Sequence, residues 1–306
     1  MSAAISARSL RKRYPDVVAV DGLDLEVVRG ECFGLLGPNG AGKTTTIEIL
    51  EGLTAPDEGE VEILGMSWKR DGAAIREAIG ISLQETRLAD KLTVEETVAL
   101  FRSFYREGRD PAVLLGQLSL LEKKKARVEK LSGGQKQRLA VACALVGDPE
   151  ILFLDEPTTG LDPQSRLQLW EQVTDFRAGG GTVLLTTHYM DEAERLCDRI
   201  AVVDKGKVIA QGTPTQLIAS LNAPNVIEFA ADPMPAEADL AVLPGMKGLH
   251  RRGPNWLLNV DALSETVPPL LGHLERSGMR LSHLSTHRAT LEDVFVALTG
   301  RDLRDT

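Results

Sequence analysis

Short apolar segments recur along the first two thirds of the chain. Apolar residues dominate the segments at residues 32–36, 79–83, 151–154, 182–186 and 200–203. Runs of this length without polar alternation predict parallel strands that are covered on both faces. Longer amphipathic segments lie between them, so the pattern predicts an α/β sheet protein.

The strand pattern is interrupted between residues 85 and 148. Thr93-Val94-Glu95-Glu96 has the Thr-x-x-Glu spacing of a capping box, which predicts the start of a helix. Two further helices are predicted, over residues 111–121 and from about Gly134 to Leu145. A helical insertion inside the α/β core is therefore expected.

The pattern changes again near residues 220–225, beyond which prolines punctuate the sequence. Strands are predicted over 226–230, 256–260 and 279–285, and helices over 267–276 and 291–298. Pro268 and Pro269 are expected near the start of their helix, where proline is tolerated. We therefore predict an α/β domain at residues 1–222 and a small α+β domain at residues 223–306.

The amino-acid composition of the chain disfavours several classes of binding partner and of site. A formal net charge of −9 disfavours binding to nucleic acid or anionic lipid, because a polyanion requires clustered Lys and Arg. No apolar run approaches the length of a membrane span or forms a signal peptide, so a soluble chain is expected. Cys32, Cys143 and Cys197 lie far apart in sequence, which predicts buried reduced thiols rather than a disulfide or zinc site.

A glycine-rich segment follows the first buried strand and matches a phosphate-binding loop. The pattern G-x-x-x-x-G-K-[ST] is met by Gly37, Pro38, Asn39, Gly40, Ala41, Gly42, Lys43 and Thr44. Glycines allow consecutive backbone N–H groups to face phosphates, and the N-terminus of the next helix favours anions. Lys43 is expected to supply a charge to the β- and γ-phosphates, and the Thr44 hydroxyl to hold Mg²⁺. The loop predicts binding and hydrolysis of ATP.

A later buried strand ends in two carboxylates, Asp155 and Glu156. At the carboxyl end of a parallel strand, Asp155 can meet the Mg²⁺ shell and Glu156 can act on a water in line with the γ-phosphate. An apolar run that ends in two acids is by itself as often a strand terminus as a site. Beside a phosphate-binding loop, it indicates hydrolysis.

The segment Leu131-Ser132-Gly133-Gly134-Gln135 lies between the phosphate-binding loop and the acidic strand. With this segment the chain resembles the ATP-binding subunits of ABC transporters over roughly residues 5–220, since LSGGQ in this place is highly specific to that superfamily. The resemblance implies a P-loop NTPase fold with a RecA-like core, an ABC helical subdomain at about residues 85–148 and an antiparallel β edge. The C-terminal α+β domain is expected in addition to this fold.

The resemblance also implies roles for single residues. Tyr14 matches the aromatic residue that stacks on adenine, and Gln84 matches the glutamine that senses Mg²⁺, water and the transporter partner. Asp155 matches the Mg²⁺-associated acid, Glu156 the catalytic carboxylate and His188 the switch histidine that contacts the γ-phosphate. Family members often have Pro directly before the glutamine where this chain has Leu, so the resemblance leaves the local turn geometry open.

The LSGGQ segment is expected to act on a second copy of the chain. Ser132, Gly133, Gly134 and Gln135 match the signature that grips the γ-phosphate of ATP held by the opposite subunit. Asp162 falls in the segment that matches the D-loop, and Thr45 extends the expected nucleotide-binding set beyond Thr44. The resemblance therefore implies an ATP-sandwich homodimer with Mg²⁺, bound to a separate integral-membrane permease at the cytoplasmic face of the cell membrane.

Residues near the end of the chain indicate which group of ABC ATP-binding subunits the chain resembles. Residues 290–301, TLEDVFVALTGR, resemble the C-terminal end of bacterial subunits that serve ABC-2-type exporters, a group that includes drug-resistance ATPases. The same residues fit an amphipathic helix with an apolar stripe of Leu291, Val294, Phe295 and Leu298. An exporter ATPase is therefore expected, with drug or antibiotic efflux as one option.

Two alternatives remain open at this point. One is a soluble ABC ATPase of translation or DNA repair, a class that usually has two cassettes in one chain, coiled-coil insertions, zinc-binding cysteines or basic arms. The sequence contains none of these patterns. The other alternative is a mainly regulatory subunit, in which the C-terminal segment has the main role and hydrolysis is incidental. The cargo is left open, because the membrane subunit chooses it.

Overall fold

The structure is a computed structural model that describes residues 2–84 and 86–300. Met1, Glu85 and residues 301–306, including Arg301 of the C-terminal segment, lie outside the described residues. The chain divides into two compact units, Met1–Val208 and Ile209–Thr306. Residues 209–222 thus group with the second unit, and the domain boundary at 222/223 stays a prediction.

The first unit is built on a sheet of buried parallel strands. Its neighbouring strands follow the order β5-β6-β7-β3-β8-β9, and those from β5 to β8 pair in parallel. Every residue of β3, β6 and β7 is buried, which confirms the prediction of strands covered on both faces. The strands are β1 (Ala3–Tyr14), β2 (Val17–Val28), β3 (Cys32–Leu36), β4 (Glu58–Ile63), β5 (Ile79–Ser82), β6 (Ile151–Asp155), β7 (Thr182–Thr187), β8 (Arg199–Asp204) and β9 (Lys207–Gly212), the last of which ends in the second unit.

A second, antiparallel sheet has the order β2-β1-β4. Its strands alternate between buried and exposed residues, unlike those of the parallel sheet, because one face packs on the core and the other faces solvent. The resemblance had implied such an antiparallel edge, whereas the apolar pattern alone had not assigned these strands.

Helices connect the strands of the first unit. Thr93 caps α3 with the predicted capping box, whereas α4 ends at Gln117, earlier than predicted. The reason is local, since Ser119 takes a left-handed φ of 54°, which does not continue a right-handed helix. In the described residues, 2–84 and 86–300, no helix has both the length and the apolar character of a membrane span. The helices are α1 (Lys43–Leu50), α2 (Trp68–Ala78), α3 (Val94–Arg102), α4 (Pro111–Gln117), α5 (Gly133–Leu145), α6 (Pro163–Ala178) and α7 (Met190–Leu196).

The core of the first unit holds α1 against both sheets. Leu10, Val20, Phe33, Ile47 and Phe153 are each fully buried and belong to one apolar cluster. Burying a side chain of this size contributes about 1.5–3 kcal/mol relative to leaving it exposed. The packing places the loop before α1 at the carboxyl ends of β3 and β6, where an open α/β sheet forms its binding crevice.

The second unit is a four-stranded antiparallel sheet with the order β11-β12-β10-β13. The element order β-α-β-β-α-β, from β10 to β13, is that of the ferredoxin-like split β-α-β motif. Leu240 of α9 and Leu270 and Leu274 of α10 pack in one cluster with Phe229 and Leu258 of the sheet. The elements are α8 (Pro214–Ala219), β10 (Asn225–Asp232), α9 (Glu237–Ala241), β11 (Met246–Arg252), β12 (Asn255–Val260), α10 (Leu263–Arg276), β13 (Arg280–Arg288) and α11 (Leu291–Thr299).

Helix α10 starts four residues before the predicted position. Pro268 and Pro269 consequently lie in its interior, not near its start. Leu263, Leu270 and Leu274 lie on one face and pack into the core, so burial extends the helix on both sides of the prolines.

Candidate functional site

The phosphate-binding loop joins β3 to α1 and is closely packed. A Cβ on Gly37 would lie 2.2 Å from the carbonyl oxygen of Val203, and a Cβ on Gly42 would lie 2.1 Å from that of Ala19. Gly42 also has a φ of 101°, a conformation that side chains rarely adopt. Glycine is therefore required at both positions for the loop to lie this close to its neighbours.

Lys43 is buried at the first position of α1. Its Nζ donates hydrogen bonds to the carbonyl oxygens of Gly37 at 2.8 Å and Pro38 at 3.0 Å, and lies 3.5 Å from Glu156 Oε1. Burial lowers the pKa of Lys43, an effect that the charge of Glu156 opposes. The loop thus holds a cation that faces the acidic end of β6.

Glu156 has a strained backbone. Its φ of 45° is left-handed, which is uncommon for a residue other than glycine. The backbone N–H donates to Thr186 Oγ1 at 2.9 Å and to the Thr186 carbonyl oxygen at 3.2 Å, and these bonds hold the unusual conformation. Strain of this kind concentrates at functional sites, because it aims a side chain in a fixed direction.

Several side chains converge on the Glu156 carboxylate. Gln84 Nε2 donates to Oε2 at 3.3 Å, Thr159 Oγ1 donates to it at 3.2 Å, and His188 Nδ1 lies 3.2 Å from it. The 3.2 Å contact with His188 is the largest of the effects that lower the pKa of Glu156. The carboxylate is therefore ionised near neutral pH and can accept a proton from a water molecule.

Asp155 lies beside Glu156 and is almost fully buried. Thr186 Oγ1 donates to its Oδ1 at 2.5 Å, and Thr44 Oγ1 donates to the same oxygen at 3.5 Å. Burial raises the pKa of Asp155, although the two hydroxyl groups oppose this shift. The described residues contain no cluster of three or more His, Cys, Asp or Glu side chains that could bind a metal by themselves.

The LSGGQ segment forms the start of α5. Ser132 Oγ accepts from the Gln135 N–H at 3.3 Å, and Gln135 Oε1 accepts from the Ser132 N–H at 3.0 Å, which completes a capping box. A Cβ on Gly134 would lie 2.3 Å from Ser165 Oγ of α6, the helix that Asp162 caps. In the described part of the chain, each of these two side chains accepts from the backbone N–H of the other residue. Neither bonds to the Glu156 cluster, which consists of Glu156, Gln84, Thr159 and His188.

Tyr14 ends β1 and is 39% exposed. Lys12 Nζ lies 5.7 Å from the centre of its ring. The ring is therefore partly accessible to solvent, and stacking on a base requires an accessible aromatic ring.

Two hydroxyl groups of the site were not assigned from the sequence. Thr186 bonds to both Asp155 and the backbone of Glu156, and Thr159 bonds to the Glu156 side chain. Thr186 lies directly opposite Asp155 in the parallel pairing of β6 and β7. Knowledge of that pairing would have identified Thr186, but the order of the strands is not visible in the apolar pattern.

Comparison with known proteins agrees with this geometry. Residues 20–159 match the family model described as ABC transporter. A protein of Ralstonia nicotianae described as Nod factor export ATP-binding protein I is 41% identical over 308 residues, which cover 98% of this chain and 95% of that protein. The protein of the same description from Paraburkholderia xenovorans is 43% identical, with 99% of each chain covered. The chain belongs to the ABC transporter ATP-binding proteins.

Solved structures of ABC ATPases have the same fold. One, described as the ATP-binding subunit of an ABC transporter, has a TM-score of 0.66 and 29% identity over 72% of this chain and 93% of that one. Another is a dimeric ATP-binding cassette in a post-hydrolysis state, bound to ADP and Pi, with a TM-score of 0.63 and 28% identity over 68% of this chain and 98% of that one. The P-loop NTPase fold and the resemblance based on LSGGQ are confirmed, and this ABC protein is an ATPase.

Proposed function

We propose that this ABC ATPase powers export through a separate permease. The observation that carries the proposal is the convergence of Lys43, Gln84 and His188 on the ionised carboxylate of Glu156. Export is supported by the names of the relatives, which match this chain over nearly its whole length and are described as Nod factor export proteins. We propose no cargo, and drug efflux has no support in those names.

Each residue around Glu156 has a distinct role in the proposed hydrolysis. Glu156 accepts the proton of the attacking water, and Gln84 and His188 hold the carboxylate and the water in place. Lys43 and the N–H groups of the loop bind the phosphates. The hydroxyl of Thr44 and the carboxylate of Asp155 offer the oxygen ligands that Mg²⁺ prefers, and Mg²⁺ bound there would neutralise phosphate charge.

We propose that two copies complete each site. The N-terminus of α5 favours an anion, and the backbone N–H groups of Gly133 and Gly134 lie between the two ends of its capping box. The Ser132 and Gln135 side chains bond within the segment and not to the Glu156 cluster. A second copy arranged head to tail would bring this helix end to the γ-phosphate. Contacts to the γ-phosphate disappear on hydrolysis, so binding joins the copies and turnover releases them.

Three measurements on one pair of proteins test the proposal: turnover, ATP binding and recovery from membranes. The chain and its Glu156→Gln variant are tagged and isolated from cells in the presence of Mg²⁺ and ATP. The variant should lose turnover by on the order of 10²-fold or more while it still binds ATP, and both proteins should be recovered from membranes with an integral-membrane protein. Wild-type turnover in the variant would refute the role of Glu156. Recovery with ribosomes or nucleoid would refute the permease and favour the alternative class of translation or DNA-repair ATPases.

A further inference from the structure

Helix α7 contains a carboxyl group that the site described above does not explain. Glu192 is fully buried and lies four residues after His188. A buried carboxyl group is costly unless it is protonated or hydrogen-bonded. Burial is the largest effect on the pKa of Glu192 and raises it above the usual range.

The Glu192 carboxyl group joins two helices. Its Oε1 accepts a hydrogen bond of 3.0 Å from Trp170 Nε1 of α6. Its Oε2 is buried and has no hydrogen-bond partner in the described part of the chain. Glu192 lies on α7, which begins two residues after His188. The bond from Trp170 therefore links α6 to the helix that follows His188.

Other contacts hold the His188 segment on α6. The N–H of Tyr189 donates to Thr187 Oγ1 at 2.9 Å, which fixes the turn around His188. Arg166 of α6 lies over the Tyr189 ring, 4.7 Å from its centre, and its NH1 lies 3.3 Å from Asp191 Oδ2. These contacts are partly exposed, whereas the bond from Trp170 to Glu192 is buried and shielded from water.

We propose that Glu192 is a positioning residue for ATP hydrolysis. It ties α7, the helix that follows His188, to α6, and so maintains the 3.2 Å contact between His188 Nδ1 and Glu156 Oε2. The proposal rests on the proposed roles of Glu156 and His188. A displacement of about 1 Å at a reacting group can lower a rate by up to about 10²-fold, so a residue that does not touch the substrate can still control turnover.

Steady-state kinetics on the full chain test the proposal. Glu192→Ala should lower kcat by on the order of tenfold and change KM for ATP by less than about twofold, because the phosphate loop is untouched. Glu192→Gln should keep kcat within about threefold, since its amide oxygen can still accept from Trp170. Glu194→Ala, at an exposed position of the same helix, is the matched control and should leave both constants unchanged. A kcat unchanged in Glu192→Ala would overturn the proposal.

A double-mutant cycle separates positioning from general destabilisation. If Glu192 acts through His188, Glu192→Ala should have no further effect on kcat in a His188→Ala background. An equal loss in both backgrounds would overturn the proposal. Wild-type turnover in His188→Ala alone would instead refute the proposed role of His188.

Trp170→Phe is a second variant that tests the proposal if Glu192→Ala does not fold. The Phe ring preserves much of the packing of α6 but removes the Nε1 donor. We expect kcat to fall without a change in KM, and an unchanged kcat would count against the proposal.

Discussion

Two carboxyl groups of this ATPase, those of Glu156 and Glu51, lie in environments that shift their pKa values in opposite directions. Glu156 is surrounded by hydrogen-bond donors and by the Lys43 cation, which favour its ionised form. Glu51, at the end of α1, is only 2% exposed, and neither of its carboxyl oxygens has a hydrogen-bond partner in the described part of the chain. Burial and the nearby charges of Asp155 and Glu48 raise the pKa of Glu51 to about 8.

The pKa of Glu51 predicts a pH-dependent stability. Between about pH 5 and pH 8 the folded state keeps this proton while the unfolded state has lost it, so stability falls as pH rises, by at most about 1.4 kcal/mol per pH unit. Glu51→Gln carries no titrating proton. We therefore expect the free energy of unfolding of the variant to increase relative to that of wild type up to about pH 8. Above that pH, the difference between the two should stay constant.

Urea unfolding at a series of pH values checks this prediction. Glu60→Gln, at an exposed position of β4, is the matched control and should follow the wild-type curve. Parallel curves for wild type and Glu51→Gln would show that Glu51 ionises normally.

At the scale of elements, the LSGGQ segment is part of a helix contact as well as a predicted nucleotide contact. The start of α5 packs on the start of α6, where Ser165 Oγ donates to Asp162 Oδ2 at 2.6 Å. Gly134 allows this approach, because any Cβ there would collide with Ser165. The neighbouring Gly133 has nothing within 4 Å of its Cβ position.

The two glycines form a matched pair for a stability measurement. Gly134→Ala should destabilise the nucleotide-free chain by about 1–3 kcal/mol, because two packed helices must separate. Gly133→Ala, with open space around it, should change stability by less than about 1 kcal/mol and in the stabilising direction. Denaturant unfolding measures both, and Ser165→Gly should restore part of the loss in Gly134→Ala. Equal effects of the two substitutions would show that the helix contact is unimportant.

At the scale of the whole molecule, function is proposed to require two copies. In the proposed dimer, the phosphate-binding loop and the Glu156 cluster would form one half of a site, and the N-terminus of α5 would supply the other half to a partner. Ser132 is exposed at the end of that helix. The composite site therefore predicts that a change at Ser132 affects association more than nucleotide binding.

Ser132→Arg tests the composite site. The large side chain should block ATP-driven dimerisation while a monomer still binds ATP, because Ser132 contributes nothing to the phosphate loop of its own chain. Sedimentation in a Glu156→Gln background, where ATP persists, measures the dimer, and calorimetry measures binding. Lys136→Arg, at an exposed position of α5, is the control. An ATP-dependent dimer of Ser132→Arg would contradict the head-to-tail arrangement.

The sequence alone was sufficient where function depends on local backbone geometry. The loop from Gly37 to Thr44 is recognisable because tight turns require glycine, and the capping box at Thr93 because its partner is three residues away. The buried parallel strands were predicted for a similar reason, since full burial leaves a continuous apolar run.

Tertiary structure decided what depends on contacts between distant segments. The register of β6 and β7 sets Thr186 opposite Asp155, and the packing of α6 on α7 buries Glu192 against Trp170. In the sequence, nothing distinguishes Glu51 from an ordinary helix residue, and only the folded structure shows that it is buried. The ferredoxin-like sheet of the second unit also depends on strand order. Such features arise from strand pairing and burial, which no periodicity along the chain encodes, so they became visible only in the folded molecule.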